Sequence, residues 1–368
     1  MGKQVTVVAP LWCKLPTDGY GAIERVVLQR AEALKSLGYE VQLVGNIDDH
    51  AFSGDVVNMN SLWRIPLSFR DHMRWVMTFG WTRYALSFLR TQNARWRSVV
   101  VTDAATMDPL NNYLLCTILG RSRTLLVLHG NSYQTNGHMG PLFEAFRYIA
   151  KRLNYAALNR EVAEYLCDLG FRAYYCPNGI SLPPPSAVVD SPEGHSVFIG
   201  VINREKAPHI AIRLAQECGE RLYLMGPIRD YQYFESSIRP KLGNGIEYLG
   251  EVSSSVRDQK LRTARALFFT STWNDPQPTV VLEALSFGVP VVATPAGRFS
   301  GLYDMVIQDE NGLIDEPHTV KRRFKSILSI SRSSIYRATQ KKWAWDHVIR
   351  EYHLPVLRKL ARESGDLE

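Results

Sequence analysis

A chain of 368 residues is long enough to bury the cores of two domains. Apolar residues at 45% against 21% charged argue against a disordered chain, and no run reaches the ~18 apolar residues of a membrane-spanning helix. Five scattered cysteines without a C-x-x-C pair argue against a disulfide framework or a cysteine zinc site, while the net charge of +7 invites an acidic partner.

Residues 5–9 read as a buried strand, met too early to leave room for a signal peptide, so the expected location is cytoplasmic. A loop with Pro16, Gly19 and Gly21 follows, then helical periodicity over 23–37 up to Gly38, then a strand over 41–45. Further strand-like runs at 98–102, 124–128 and 173–176, with helical stretches between them, predict a doubly wound parallel sheet. The prolines at 183–185 open a linker that runs to about Ser196. Alternation then restarts: strand 197–199, helix 207–218, strand 221–225, helix near 231–242, strand 246–249, helix 256–264, strand 266–269. A last helical stretch begins near Trp343 and should kink or break at Pro355. The expected organisation is thus α/β, with two Rossmann-like doubly wound domains facing a cleft: a first domain over 1–182, a linker over 183–195 and a second domain over 196–344.

Within the second domain, Asn274-Asp275-Pro276 reads as a turn, and Pro278 suits the first position of a helix carrying Val281, Leu282, Ala284 and Leu285, which stops at Gly288. The helix N-terminus at Thr279 and Val280 attracts phosphate, and the carboxylates Asp275 and Glu283, eight residues apart, accept hydrogen bonds from hydroxyls. That pairing suits a nucleotide sugar, although the segment by itself reads equally as an ordinary strand–helix–strand unit. Gly21 and Glu24 stand where the first strand turns into the first helix, without the last glycine of G-x-G-x-x-G. His129 closes the apolar run 125–128 and so falls at the carboxyl end of a strand. Gly200, Arg204 and Lys206 lie on a strand-to-helix turn whose basic residues suit a diphosphate.

These motifs resemble those of retaining glycosyltransferases with the GT-B fold, family 4. Asp275 with Glu283 and the following G-x-P-V-V-A resemble the E-x7-E signature, with Asp at the first acid. Gly19 to Val27 resembles Y-G-G-I-E-R-V-V, with Ala22 for the second glycine, and His129-Gly130 resembles the histidine that contacts the donor sugar. Gly200 and Lys206 match the diphosphate clamp G-R-x-x-x-x-K-G, but Val201 replaces its arginine and Ala207 its last glycine. Residues 248–252, ending at Val252, resemble the segment that holds the nucleobase, and Pro177-Asn178-Gly179-Ile180 the end of the first domain. The resemblance implies that 345–368 pack back on the first domain. It implies transfer of a sugar, most simply from a UDP-sugar, to an acceptor hydroxyl with retention. His129, Asp275 and Glu24 would serve catalysis, and Gly21, Gly200, Arg204, Lys206, Val252, Thr279, Val280 and Glu283 would bind the donor. It implies no metal and no cofactor, the nucleotide sugar being substrate, and a carbohydrate or lipid-linked acceptor. A nucleotide-sugar 2-epimerase of the same fold is the alternative. A nucleic-acid-binding protein is suggested by charge alone, without a recognised motif. Finally, residues 61–98 hold seven arginines against Asp71, which is +6 of the net charge. Trp75, Phe79 and Leu86 form a second apolar stripe there, predicting contact with an anionic membrane surface at the inner face.

Overall fold

The computed structural model describes residues 4–10, 14–16, 21–48, 50–58, 99–103, 109–130 and 144–365, and the statements that follow concern those. The chain divides into two compact units. One holds Met1–Thr17, Ile23–Asn178 and Val348–Glu368; the other holds Asp18–Ala22 and Gly179–His347.

The first unit is built on an eight-stranded sheet: β1 Gln4–Val8, β2 Lys14–Leu15, β3 Glu40–Ile47, β4 Asp55–Asn58, β5 Val99–Thr102, β6 Thr124–Leu128, β7 Asn154–Ala157 and β8 Arg172–Tyr175. Their order is β2-β3-β1-β5-β6-β7-β8, with β4 also on β3, and the pairings are parallel, as in Val5 with Val41 and with Val99. The runs are continuously apolar because both faces are covered: β5 and β6 are buried at every position. Helix α1, Ala22–Ser36, buries Val26, Val27, Ala31 and Leu34 as one stripe, and the chain leaves it at Gly38 with a φ of 81° that glycine adopts without strain. Helices α2, Pro109–Leu119, and α3, Arg160–Asp168, follow β5 and β7. The stripe at Trp75, Phe79 and Leu86 lies outside the described residues.

The second unit repeats the plan with β9 Ser196–Ile199, β10 Leu222–Met225, β11 Ile246–Gly250, β12 Leu267–Phe269, β13 Val291–Ala293 and β14 Gly312–Ile314, in the order β11-β10-β9-β12-β13-β14. Its long helices are α4 Pro208–Cys218, α5 Ser254–Thr263, α6 Thr279–Ser286, α7 Pro317–Leu328 and α8 Arg332–Trp343. Phe268 of β12 stacks on Phe324 of α7 at 5.7 Å, in a core with Ile212, Leu214, Leu224 and Val292. Two predicted helix starts move by one residue. Ala207 precedes α4 in a left-handed conformation, φ 48°, and Pro278 precedes α6 in an extended one. The predicted 231–242 helix is a short α-turn, a wide π-turn over Phe234–Ile238 and a 3-10 turn over Arg239–Lys241.

After α8 the chain returns to the first unit. A wide π-turn over Ile349–His353 precedes α9, Leu354–Glu363, and Pro355 sits in the first turn of α9. Proline is tolerated there because the N–H it lacks would have no partner in the helix, so the predicted break appears as a change of hydrogen-bond ladder. Leu354, Val356, Leu357, Leu360 and Ala361 of α9 are buried, and the helix packs on β5 and the turn Arg121–Arg123. No helix among the described residues is long and apolar enough to cross a membrane.

Candidate functional site

In each sheet the strand order reverses at one place, between β9 and β12 in the second unit and between β1 and β5 in the first. Ligands of open α/β sheets bind at such reversals, beyond the carboxyl ends of the strands. In each unit, several of the predicted residues lie in the loops and turns that follow the strands.

In the second unit Gly200, Gly226 and Gly250 end three neighbouring strands. Gly200 N–H donates to Met225 O at 2.9 Å, and Gly226 N–H to Gly250 O at 2.8 Å. A Cβ on Gly226 would stand 2.1 Å from Gly200 O, so the closely set backbone requires glycine. Val252 is half-buried just beyond Gly250. The turn that carries Lys206 is tied to the end of β12. Thr270 Oγ1 donates to Ala207 O at 3.0 Å, Thr272 N–H donates to Glu205 O at 2.8 Å, and Lys206 N–H donates to Asn203 Oδ1 at 2.9 Å. Lys206 Nζ consequently meets Asp275, at 2.7 and 2.5 Å from its two oxygens. Arg204, on the same turn, goes elsewhere: its Nε lies 3.6 Å from Asp230 and its guanidinium 5.4 Å from the Tyr233 ring centre.

The Asp275 turn is held from the far side by the loop after β13. Phe299 N–H donates to Asn274 Oδ1 at 3.2 Å, and Gly301 N–H to Asp275 O at 2.9 Å. A Cβ on Gly297 would fall 1.9 Å from Asn274 Oδ1, and one on Gly301 2.1 Å from Pro276 O. Pro278 brings no capping side chain to the N-terminus of α6, where Thr279 and Val280 begin the helix, and the first backbone N–H groups of a helix are oriented as an anion would need them. Glu283 lies further along α6, buried, with Arg257 Nη1 of α5 at 3.8 Å from its Oε1. Burial opposes the Arg257 charge, but Glu283 and Asp258 more than offset it and raise its pKa.

Gly21, which belongs to the second unit, is buried directly ahead of α1, and in the first unit Glu24 is half-buried in the first turn of that helix. His129, just after β6, is joined to Asp103, just after β5, by a 2.6 Å hydrogen bond from Nε2. Asp103 in turn receives Arg30 Nη1 at 2.7 Å on each oxygen, and Arg30 Nη2 donates to Asn178 Oδ1 at 3.0 Å. Burial pushes the Asp103 pKa up, yet Arg30 and His129 outweigh it and bring it down to about 2.

Sequence reasoning missed Arg30, Asp103 and Arg257. A signal for Arg30 existed: it occupies a core position of the α1 stripe, between Val27 and Ala31, where an unpaired guanidinium would not be tolerated. Asp103 is an acid directly after the buried strand Val99–Thr102, the position that faces a ligand in this topology.

Residues 194–332 match the family glycosyl transferases group 1. No curated protein matches the sequence. Among solved structures, the chain is similar to AviGT4, a glycosyltransferase involved in avilamycin A biosynthesis, at 21% identity over 98% of each chain with a TM-score of 0.67. It is similar to HepE from Anabaena, solved in complex with UDP and glucose, at 14% identity over 98% of this chain and 99% of that one, TM-score 0.69. WaaG, a glycosyltransferase involved in lipopolysaccharide biosynthesis, matches at 13% identity over 99% of each chain, TM-score 0.56. The second unit thus carries a match to the glycosyl transferases group 1, and the chain has the GT-B fold.

Proposed function

We propose that the protein is a retaining glycosyltransferase that moves a sugar from a UDP-sugar to an acceptor hydroxyl in glycan or glycolipid synthesis. The observation that carries the reading is the meeting of Lys206 with Asp275 just ahead of α6, the helix that also bears Glu283. A leaving diphosphate needs compensating positive charge, which the N-terminus of α6 and Lys206 can supply without a resident cofactor. Glu283, kept next to Arg257, would take the ribose hydroxyls, and Asp275 the hydroxyls of the sugar. Gly200 and Val252 would flank the nucleotide, and Gly21 and Glu24 would meet the distal phosphate and the acceptor. No side chain in the reading is asked to form a covalent bond. The departing phosphate takes the acceptor's proton on the face it leaves, which preserves configuration.

The UDP preference draws on HepE, which has been solved with UDP and with UDP-glucose. A lipid-linked acceptor at an anionic membrane surface, met through residues 61–98, belongs to the same reading. Sedimentation with anionic and neutral vesicles tests it, and indifference to both removes it.

Calorimetry and thermal shift with UDP, GDP and dTDP test the donor. UDP should raise the melting temperature most, because a ligand that binds only the folded state stabilises it. Glu283→Gln should weaken UDP by about tenfold or more, the loss of charge-assisted hydrogen bonds of about 1.5–3 kcal/mol, with little change in stability. Unchanged UDP affinity in that variant would remove Glu283 from the ribose site. NMR of the product made from an α-linked donor should show an α-anomer; a β-product would overturn retention.

A further inference from the structure

Asp103 leaves β5 where the order of the first sheet reverses, its N–H still donating to Val8 O of β1 at 2.9 Å. Its side chain is completely buried, as is that of Arg30, whereas the His129 ring keeps 12% of its surface open. A carboxylate at that depth is tolerated because Arg30 compensates its charge on both oxygens. With the charge compensated Asp103 stays ionised, and an ionised carboxylate can only accept hydrogen bonds. The proton in the 2.6 Å bond to Asp103 Oδ1 therefore sits on His129 Nε2. In the neutral ring, Nδ1 then holds the lone pair.

We propose that Arg30 and Asp103 are positioning residues that lock His129 in the Nε2-protonated tautomer and so present Nδ1 as an acceptor for a hydroxyl of the sugar substrate. The hydroxyl comes from the glycosyltransferase reading, on which the functional half of the inference rests; the locked ring does not depend on it. Among the described residues, two other ionisable groups face the cluster. His353, from the π-turn before α9, donates from Nε2 to Pro177 O at 2.8 Å; burial, then Arg30, lower its pKa to about 4. Burial pushes the Cys176 thiol up to about 12. Both are uncharged at neutral pH, so neither competes with Arg30 for the carboxylate. Glue alone would not call for this design: an apolar pair of similar volume would hold α1 to the sheet at no greater cost. Nor would glue need a third member open to solvent.

Asp103→Asn is the decisive variant because it is isosteric and its outcome follows from donor counting. Arg30 Nη1 lies 2.7 Å from both oxygens and His129 bonds Oδ1, so an amide NH2 in the Oδ2 position would meet the donor Arg30, whereas in the Oδ1 position it can donate to His129. Nε2 then has to accept, and the ring switches to the Nδ1-protonated tautomer. Two-bond 1H–15N spectra of the labelled protein, with the His129 signals identified by their loss in His129→Gln, read this directly. The neutral ring of the wild type should be the Nε2–H tautomer; an Nδ1–H ring overturns the proposal even if no variant folds. Folded Asp103→Asn should show the opposite tautomer, and folded Arg30→Met should show a doubly protonated ring, since the carboxylate then draws its counter-charge from His129. An unchanged His129 spectrum in either overturns the corresponding role.

Kinetics separate positioning from scaffolding. With the donor that the wild type turns over, Asp103→Asn should lower kcat on the order of a hundredfold with UDP affinity retained, and add no loss in a His129→Gln background. A further loss in that background means that Asp103 does not act through His129. Failure of the glycosyltransferase reading would look different: no UDP binding and no donor turnover in the wild type, with the tautomer result still standing.

Discussion

Lys206 and Asp275 satisfy each other in the absence of substrate, and both are largely out of solvent, at 23% and 15% exposure. A diphosphate that takes Lys206 must therefore displace a carboxylate first. Asp275→Asn should bind UDP about tenfold more tightly than the wild type, while turnover falls because the sugar loses its acceptor. Calorimetry with UDP alone checks the first half, and weaker binding would show that Asp275 does not compete for Lys206. A second residue prediction concerns acid stability. His353 ordinarily titrates at 6.5, but burial, then Arg30, hold it down to about 4 in the fold. The unfolded chain takes up that proton first as pH falls. The stabilisation is hence complete above about pH 6.5 and is lost toward pH 4, by about 3 kcal/mol. His353→Gln, which can still donate to Pro177 O, should flatten urea-unfolding stability across that window. The slope from Asp103 lies lower, between its ordinary 3.8 and about 2, and should survive in the variant.

At the scale of elements, strands with valine and leucine runs were legible because both faces are buried, and a continuous apolar run has few other homes. β7 begins with Asn154 and is half alanine, and β14 is three residues, Gly312–Ile314, so neither carries a strand signal. The Asp275–Glu283 spacing was legible because one turn and one helix fix it. The Arg30–Asp103 pair was not, because its partners lie 73 residues apart in sequence and only the parallel topology brings them together. Gly179 had a motif but no mechanism until the structure supplied one. Ile180 N–H donates to Trp343 O at 2.8 Å, and a Cβ on Gly179 would come within 2.6 Å of the Trp345 ring and 2.8 Å of its Cα. Since one of those atoms is backbone, the neighbour cannot rotate away. Gly179→Ala should cost about 2–3 kcal/mol in denaturant unfolding; a loss under 0.5 kcal/mol would show that the Trp345 segment shifts freely.

At the scale of the molecule, the chain completes its first unit with its last helix. A chain ending at His347 lacks α9 and the apolar side chains it buries. At roughly 1.5–3 kcal/mol for each large one, that loss rivals the ~5–15 kcal/mol by which a domain is folded. The truncated chain should bind a hydrophobic dye and lose the sharp unfolding transition of its first unit, and an unchanged transition would make α9 dispensable. The same return sets an order of events during synthesis. Asn178 and Val348 are separated by about 170 residues, which at about 5–20 residues per second takes on the order of ten to thirty seconds. Throughout that interval the second unit can fold as Gly179–His347 emerges, its short piece Asp18–Ala22 being already made, while the first waits with the seat of α9 open on β5. The half of the protein that is made first is finished last, and its apolar seat is what a nascent-chain chaperone would meet.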